Sequence, residues 1–392
     1  MKTIAIITSG LLPVPAVHGG AVENLIEFLI DYNELHPTHH FILYTKADPS
    51  FTSTYLSKYK YTRFIQIYTE SLLYRVKQTI RRSYKWKYYS NVYWDYFLKQ
   101  CINDLKKRTV DDILIENRAE FVLPVYKELG IKPIVHLHIK YRLEETIPEI
   151  AIASIKYAKS YIAVSEWVKN TVLEVYPQGN VIHIHNGIQL DKFNRISKAE
   201  ARKEFKLSDD DFILSYAGRI VDIKGIRELI IGMHSLKDIP NLKLLVAGNS
   251  FSGKGHKSLF MQNLIEQAKE LDDRIIFTGY IPYDKIPTLL SASDVALVPT
   301  IKDEAFALSC TEAMASGIPL ITTYSGGIPE TSVGCARILQ PDKKTLPKEL
   351  ARNIRELYES PEICKCMSEL GLERSKKFGH EIYAKKILDA LL

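Results

Sequence analysis

Phe212-Ile213-Leu214-Ser215-Tyr216-Ala217-Gly218-Arg219-Ile220-Val221-Asp222-Ile223-Lys224-Gly225 is a short apolar run that ends in a glycine-bounded turn, followed by Ile226, Leu229, Ile230 and Met233 at helical spacing. An apolar run of this length reads as a strand buried on both faces, and the spacing after it reads as an amphipathic helix. Strand, glycine loop and helix in that order make half of a parallel crossover unit. Working outward, the same alternation recurs. Strands are expected at Lys243–Ala247, Ile275–Thr278, Val295–Pro299 and Pro319–Thr322 in this half. In the other half they are expected at Thr3–Thr8, Phe41–Tyr44, Ile113–Glu116, Pro133–Leu137, Tyr161–Val164 and Val181–Ile184. The predicted fold is α/β, two Rossmann-like doubly wound domains facing across a cleft. The polar stretch from Asp191 to Asp211 marks the join, and a helix of about Glu381–Leu392 follows the last unit.

The bulk properties agree with this. With 392 residues the chain exceeds one ordinary core at roughly 150 residues per domain. Apolar residues at 46% and charged residues at 25% exclude a disordered, collagen-like or coiled-coil chain. No apolar run is long enough to span a bilayer, and Ile4–Ile7 is too short for a signal segment, so a cytoplasmic protein is expected. The five cysteines are scattered without metal-finger spacing, which fits a reducing compartment; Cys364-x-Cys366 lies in a helix-like polar stretch.

In doubly wound sheets ligands lie beyond the carboxyl ends of the strands, so chemistry is sought in the post-strand loops. Three stand out. Ser9 to Ala21 contains Gly19-Gly20 at a helix start, where backbone N–H groups favour a phosphate; a tight turn needing positive φ explains the same glycines. The loop does not match GxGxxG, which disfavours a dinucleotide dehydrogenase. Arg219 and Lys224 flank a helix N-terminus, where cations oppose the helix dipole unless an anionic ligand joins them; two solvated surface charges are the alternative. Glu304 lies in the loop after Pro299 and Glu312 in the helix that follows, and a carboxylate accepts hydrogen bonds in pairs, which suits vicinal hydroxyls. Helix-dipole partners are the alternative reading of the two acids.

Glu-x7-Glu after a strand, Gly-Arg…Lys-Gly upstream and Gly326-Gly327-Ile328-Pro329-Glu330 downstream resemble the retaining family 4 glycosyltransferases of GT-B fold. The early Gly-Gly-Ala, Val164-Ser165-Glu166-Trp167 and Asn186-Gly187-Ile188 extend the resemblance over nearly the whole chain. It implies an acceptor domain over 1–190, a nucleotide-sugar donor domain over 191–378, and a helix over 379–392 that packs back on the first domain. It implies that Arg219 and Lys224 hold the donor diphosphate, that Glu312 takes the ribose hydroxyls, and that Glu304 grips the sugar with backbone N–H groups of Phe306, Ala307 and Leu308. Gly19 and Gly20 would close on the β-phosphate, and His138 would touch the sugar near the reaction centre. His136 alternates to the same face, and either histidine is otherwise a hydrogen-bonded core residue.

The resemblance also implies a UDP-sugar as first choice of donor, retention of configuration, and no cofactor. No metal is expected: Asp209-Asp210-Asp211 contains D-x-D but precedes a strand, where a metal site would follow one. Ala307 departs from the family pattern, which has Gly after the Phe, and Tyr324 stands where small residues are usual. Between Tyr55 and Arg108, basic residues far outnumber acidic ones and aromatic residues are interleaved. That mixture suits an anionic membrane surface and a glycan or lipid-linked acceptor; a solvated surface over an aromatic core is the alternative. No nucleic-acid fold signature accompanies the charge, so no nucleic acid is expected. The rival functions are a phosphorylase or epimerase of the same fold, and a catalytically idle homologue that stabilises a partner transferase.

Overall fold

The computed structural model describes residues 1–69, 95–141, 147–193, 196–249 and 258–392. These form two compact units, Met1–Gly187 with His380–Leu392, and Ile188–Gly379.

Among the described residues, unit one has one parallel sheet. Its strands are β1 (Lys2–Ile7), β2 (His39–Lys46), β3 (Thr62–Ile67), β4 (Asp112–Glu116), β5 (Ile134–Leu137), β6 (Ser160–Ala163) and β7 (Val181–His183). They lie in the order β3-β2-β1-β4-β5-β6-β7. Ile4, Ala5, Ile6 and Ile7 have no exposed surface, because helices cover both faces of a sheet wound this way. The helix Ala21–Leu35 buries Leu25, Ile26, Leu29 and Ile30 on the sheet, and the chain's last helix, His380–Leu391, adds Tyr383, Ala384, Ile387, Leu388 and Leu391 to the same core. The ring of His380 meets Phe28 edge-on at 5.2 Å between centroids.

Unit two repeats the plan with β8 (Phe212–Ala217), β9 (Leu242–Ala247), β10 (Ile275–Gly279), β11 (Val295–Val298), β12 (Leu320–Thr323) and β13 (Arg337–Leu339). The order is β10-β9-β8-β11-β12-β13, again all parallel. In each unit the winding reverses once, between β1 and β4 and between β8 and β11, and a crevice opens at the carboxyl ends of those pairs.

Two strands, β3 and β13, are absent from the sequence reading, and both are sheet edges. Half of an edge strand faces solvent or charge, as in Thr62-Arg63-Phe64-Ile65-Gln66-Ile67, so no continuous apolar run marks it. The prolines at predicted strand ends fall outside: β5 starts at Ile134, β11 stops at Val298 and β12 starts at Leu320. Proline has no N–H to give to a ladder.

Candidate functional site

In unit two the loops after β8 and β11 are locked together at the reversal point. Gly225 has φ +71, and a β-carbon there would lie 1.9 Å from the carbonyl oxygen of Pro299, so only glycine lets the two loops approach this closely. The N–H of Ile301 donates to the carbonyl of Ile223 at 2.8 Å. This seam brings the Lys224 ammonium onto the Glu304 carboxylate as an ion pair, both side chains mostly covered but reaching solvent. Thr300 Oγ1 donates to the same carboxylate oxygen of Glu304 at 3.4 Å. The Glu304 carbonyl accepts from Gly327 N–H at 2.8 Å, and a β-carbon on Gly326 would sit 2.0 Å from that carbonyl oxygen. Glycines at 225 and 326 therefore hold the Lys224–Glu304 pair from both sides.

Arg219 is exposed just past β8, and its carbonyl accepts from the Tyr216 hydroxyl at 2.7 Å. Tyr216 ionises well above its ordinary range, first because it is buried and then because of the Glu304 charge, with Arg219 opposing. Arg219, Lys224 and Glu304 thus share one neighbourhood around Tyr216. Phe306 is buried edge-on against Phe378 at 5.7 Å. Ala307 takes φ 60 and ψ 75, a left-handed backbone, and starts the helix Leu308–Ala315 with no side-chain cap. The Cys310 N–H donates to the Ala307 carbonyl at 3.0 Å, and the helix start presents N–H groups such as that of Leu308 to a further acceptor.

Glu312 is buried within the helix Leu308–Ala315, and its partner is Tyr283, in the turn Tyr283–Lys285 beyond β10. Burial pushes its carboxyl up to about 7, and the bond from Tyr283 pulls the other way. Tyr283 escaped the sequence reading although it follows a strand end, the one signal that could have flagged it. Tyr324 is exposed, with its N–H on the Leu339 carbonyl at 2.7 Å. Asp209-Asp210-Asp211 lies at the amino end of β8, where Asp211 accepts from Ser208 N–H at 2.8 Å and pairs with Lys243 at 2.9 Å.

In unit one, Gly19 and Gly20 have φ +71 and +112 and lead into the helix Ala21–Leu35. The carboxylate of Glu23 folds back over this helix start, and a β-carbon on Gly20 would meet its Oε2 at 2.2 Å. Burial raises the Glu23 carboxyl, and its own N–H partly offsets that. Arg118, past β4, donates to the Ser9 carbonyl at 2.9 Å and to Asp95 at 3.0 Å, and so ties down the start of the loop.

His138 is the first residue beyond β5. Its Nε2 lies 3.0 Å from Glu116 Oε2, and His136 Nδ1 lies 3.1 Å from the same oxygen. Burial and then the neighbouring His136 lower the His138 imidazole to about 4. Burial alone would raise Glu116, but the two imidazoles outweigh it and hold the carboxyl well below the usual range. Among the described residues, Glu116, His136 and His138 also form a group whose donor atoms lie within 4.8 Å of one another, close enough to hold a metal ion. Glu116 and Arg118 were missed by the sequence reading, although Glu116-Asn117-Arg118 stands at a strand end.

Much of the basic and aromatic stretch, from Tyr74 through Trp94, lies outside the described residues. Of the remainder, Phe97 is buried, Arg108 pairs with Asp104 at 2.5 Å, and Lys106 pairs with Glu128 at 2.6 Å on the exposed surface. No helix among the described residues is long and apolar enough to cross a membrane.

Residues 197–374 match the family model described as Glycosyl transferases group 1. A Bacillus subtilis protein named "Putative glycosyltransferase YtcC" is 26% identical over 379 residues, covering 93% of this chain and 86% of its own. The lipopolysaccharide 1,2-N-acetylglucosaminetransferase of Salmonella typhimurium is 29% identical over 201 residues, 51% of this chain and 50% of its own. The crystal structure of Anabaena Alr3699/HepE in complex with UDP superposes with a TM-score of 0.75 at 18% identity, over 100% of this chain and 99% of that one. Residues 197–374 of unit two are therefore similar to the glycosyl transferases group 1 family, and the chain has the two-domain α/β fold of its solved GT-B glycosyltransferase neighbours.

Proposed function

We propose that the protein is a retaining, metal-independent glycosyltransferase of family 4 that moves a hexose-type sugar from a UDP-sugar to a glycan or lipid-linked acceptor in surface polysaccharide or glycoconjugate assembly. The observation that carries this reading is the Lys224–Glu304 pair beside Arg219 at the reversal point of unit two. Each member satisfies the other while the donor is absent. A diphosphate competes for the Lys224 ammonium and frees the Glu304 carboxylate to accept from sugar hydroxyls. The named activity of the Salmonella relative and the UDP in the Anabaena structure support the donor class.

Breaking the glycosyl phosphate bond builds negative charge on the departing diphosphate and positive charge on the sugar ring. Arg219, Lys224 and the N-terminus of the helix Leu308–Ala315 are assigned to the anion, and Glu304, helped by backbone N–H groups of Phe306, Ala307 and Leu308, to the sugar. Glu312 is assigned to the ribose. Unit one is assigned the backbone approach of Gly19 and Gly20 to phosphate and a His138 contact with the sugar. In a front-face displacement the C1–O bond to phosphate breaks, the C1–O bond to the acceptor forms on the same face, and the acceptor's proton passes to the leaving phosphate oxygen. Catalysis then needs no cation beyond those the chain supplies.

The test is donor turnover in EDTA: a panel of sugar nucleotides is incubated with the full chain and a lipid-linked or free glycan acceptor, and free nucleoside diphosphate is measured. Release from one donor, undiminished by the chelator, with the product's anomeric configuration retained by NMR, is the expected result. Release from none overturns the proposal, and loss of release in EDTA overturns its metal independence. For the lipid-linked acceptor, co-sedimentation with anionic vesicles that weakens with salt is expected; binding that is absent or insensitive to salt removes it.

A further inference from the structure

A single guanidinium joins three segments of unit one at the carboxyl ends of β1 and β4. Asn117, with φ +57, turns the chain out of β4, and Arg118 follows it. Arg118 Nη1 donates to the Ser9 carbonyl at 2.9 Å, Nη2 donates to Asp95 at 3.0 Å, and Nε donates to Glu120. Its central carbon lies 4.1 Å from the centre of the Phe121 ring. The side chains of Arg118, Asp95 and Glu120 are 15%, 12% and 5% exposed, so water takes little part in these bonds. Asp95 also caps the helix Tyr96–Leu105, its Oδ1 accepting from Leu98 N–H at 3.1 Å. The same helix sets Phe97 against the loop after β1: Gly10 has φ +70, and a β-carbon there would lie 2.7 Å from the ring. Farther along that loop, Val14 N–H donates to Thr45 Oγ1 at 2.8 Å and Ala16 N–H to Glu27 at 2.9 Å. The chain from Ser9 to Gly19 and Gly20 is therefore fixed at its root by Arg118 and Phe97, and along its length by β2 and the helix Ala21–Leu35.

We infer that Arg118 is a positioning residue: by holding the Ser9 carbonyl it sets the loop that carries Gly19 and Gly20, so that unit one meets a donor phosphate with a backbone already in place. The inference rests on the glycosyltransferase reading above and adds to it the residue on which the part assigned to unit one depends. Arg118 itself is not assigned to substrate, because two buried acids and a carbonyl already engage it. A carbonyl and two carboxylates in different directions suit a planar fork of five N–H donors; an ammonium on a flexible stem is a point charge and does not span them. A loop set in advance spares the ordering cost that a loose one imposes at the moment of reaction.

Two measurements on the full chain test this. Hydrogen exchange needs no substrate: in Arg118→Lys, amides of Ser9–Ala21 should exchange at least about tenfold faster than in the wild type, with unit two unchanged. Loop exchange within about twofold of the wild type overturns the inference. Acceleration spread over the whole chain also overturns it, because that marks a general loss of stability. Where Arg118→Lys does not fold, Asp95→Asn takes its place; asparagine keeps an oxygen for the Leu98 cap and removes the charge that orients Nη2, and the same comparison decides. This readout stands even if the wild type turns over no sugar nucleotide, in which case the proposed function fails by itself. Kinetically, charge on the leaving diphosphate grows as the bond breaks, so the loss in Arg118→Lys should fall on kcat, about tenfold or more, with KM for the donor within about threefold. Wild-type kcat in a folded Arg118→Lys protein, or a loss confined to KM, overturns the assignment.

Discussion

Ala307 carries a left-handed backbone that costs an L-residue about 1–2 kcal/mol, in the turn that aims the helix Leu308–Ala315. The family pattern puts glycine there, and the methyl group of alanine adds strain without adding a hydrogen bond. Ala307→Gly should therefore stabilise the chain by about 0.5–1 kcal/mol, the relief being reduced by the greater freedom of glycine in the unfolded state. Chemical denaturation checks it, and a lower midpoint would show that the alanine methyl packs better than the backbone argument allows. The glycines on either side of Glu304 act in the opposite sense. At Gly225 and Gly326 a β-carbon would run into Pro299 and Glu304 backbone, so alanine at either should cost about 2 kcal/mol or more and weaken donor binding with it.

With Glu312 assigned to the ribose as proposed, the helix Leu308–Ala315 should make nucleotide binding pH-dependent. Glu312 keeps its proton up to about pH 7 in the folded chain, against an ordinary value of 4.5. Between those values the folded state binds the extra proton, so this group's contribution to stability is present at low pH and is lost as pH rises through 7. Ribose hydroxyls that donate to the ionised carboxylate reverse the sign for the ligand. UDP affinity should rise by about tenfold from pH 6 to pH 8 with release of a proton, and Glu312→Gln should flatten that slope. Calorimetry in buffers of different ionisation enthalpy measures it, and a flat profile in the wild type would remove Glu312 from the ribose. The elements that matter here were readable in the sequence because strands buried on both faces are continuous apolar runs and post-strand loops carry their glycines in order. The edge strands β3 and β13 were not readable, since Thr62, Arg63 and Gln66 interrupt the apolar run of β3 and β13 is only Arg337–Leu339, whereas the edges β7 and β10 were found. The partners of the site residues were also hidden. Tyr283 reaches Glu312, and Glu116 reaches His138, across strands and loops distant in sequence, and no local spacing records a contact of that kind.

At the scale of the molecule, the chain leaves unit one after Gly187 and returns to it after Gly379, so the last helix completes a core begun by β1. Ile387 is fully buried there, and Ile387→Ala should cost about 2–5 kcal/mol, read as a lower thermal transition for the unit it belongs to. A shift of under about 1 kcal/mol would mean that the helix is an appendage and not part of the core. The central claim concerns the anion grip of unit two. Its most direct test is calorimetric titration of the full chain with UDP, GDP, ADP and dTDP in EDTA, repeated with Lys224→Met. The account predicts that one of these nucleotides binds at one per chain and that Lys224→Met weakens it at least about tenfold, or 1.4 kcal/mol. Binding of none of the four, or binding that Lys224→Met leaves unchanged, would contradict it.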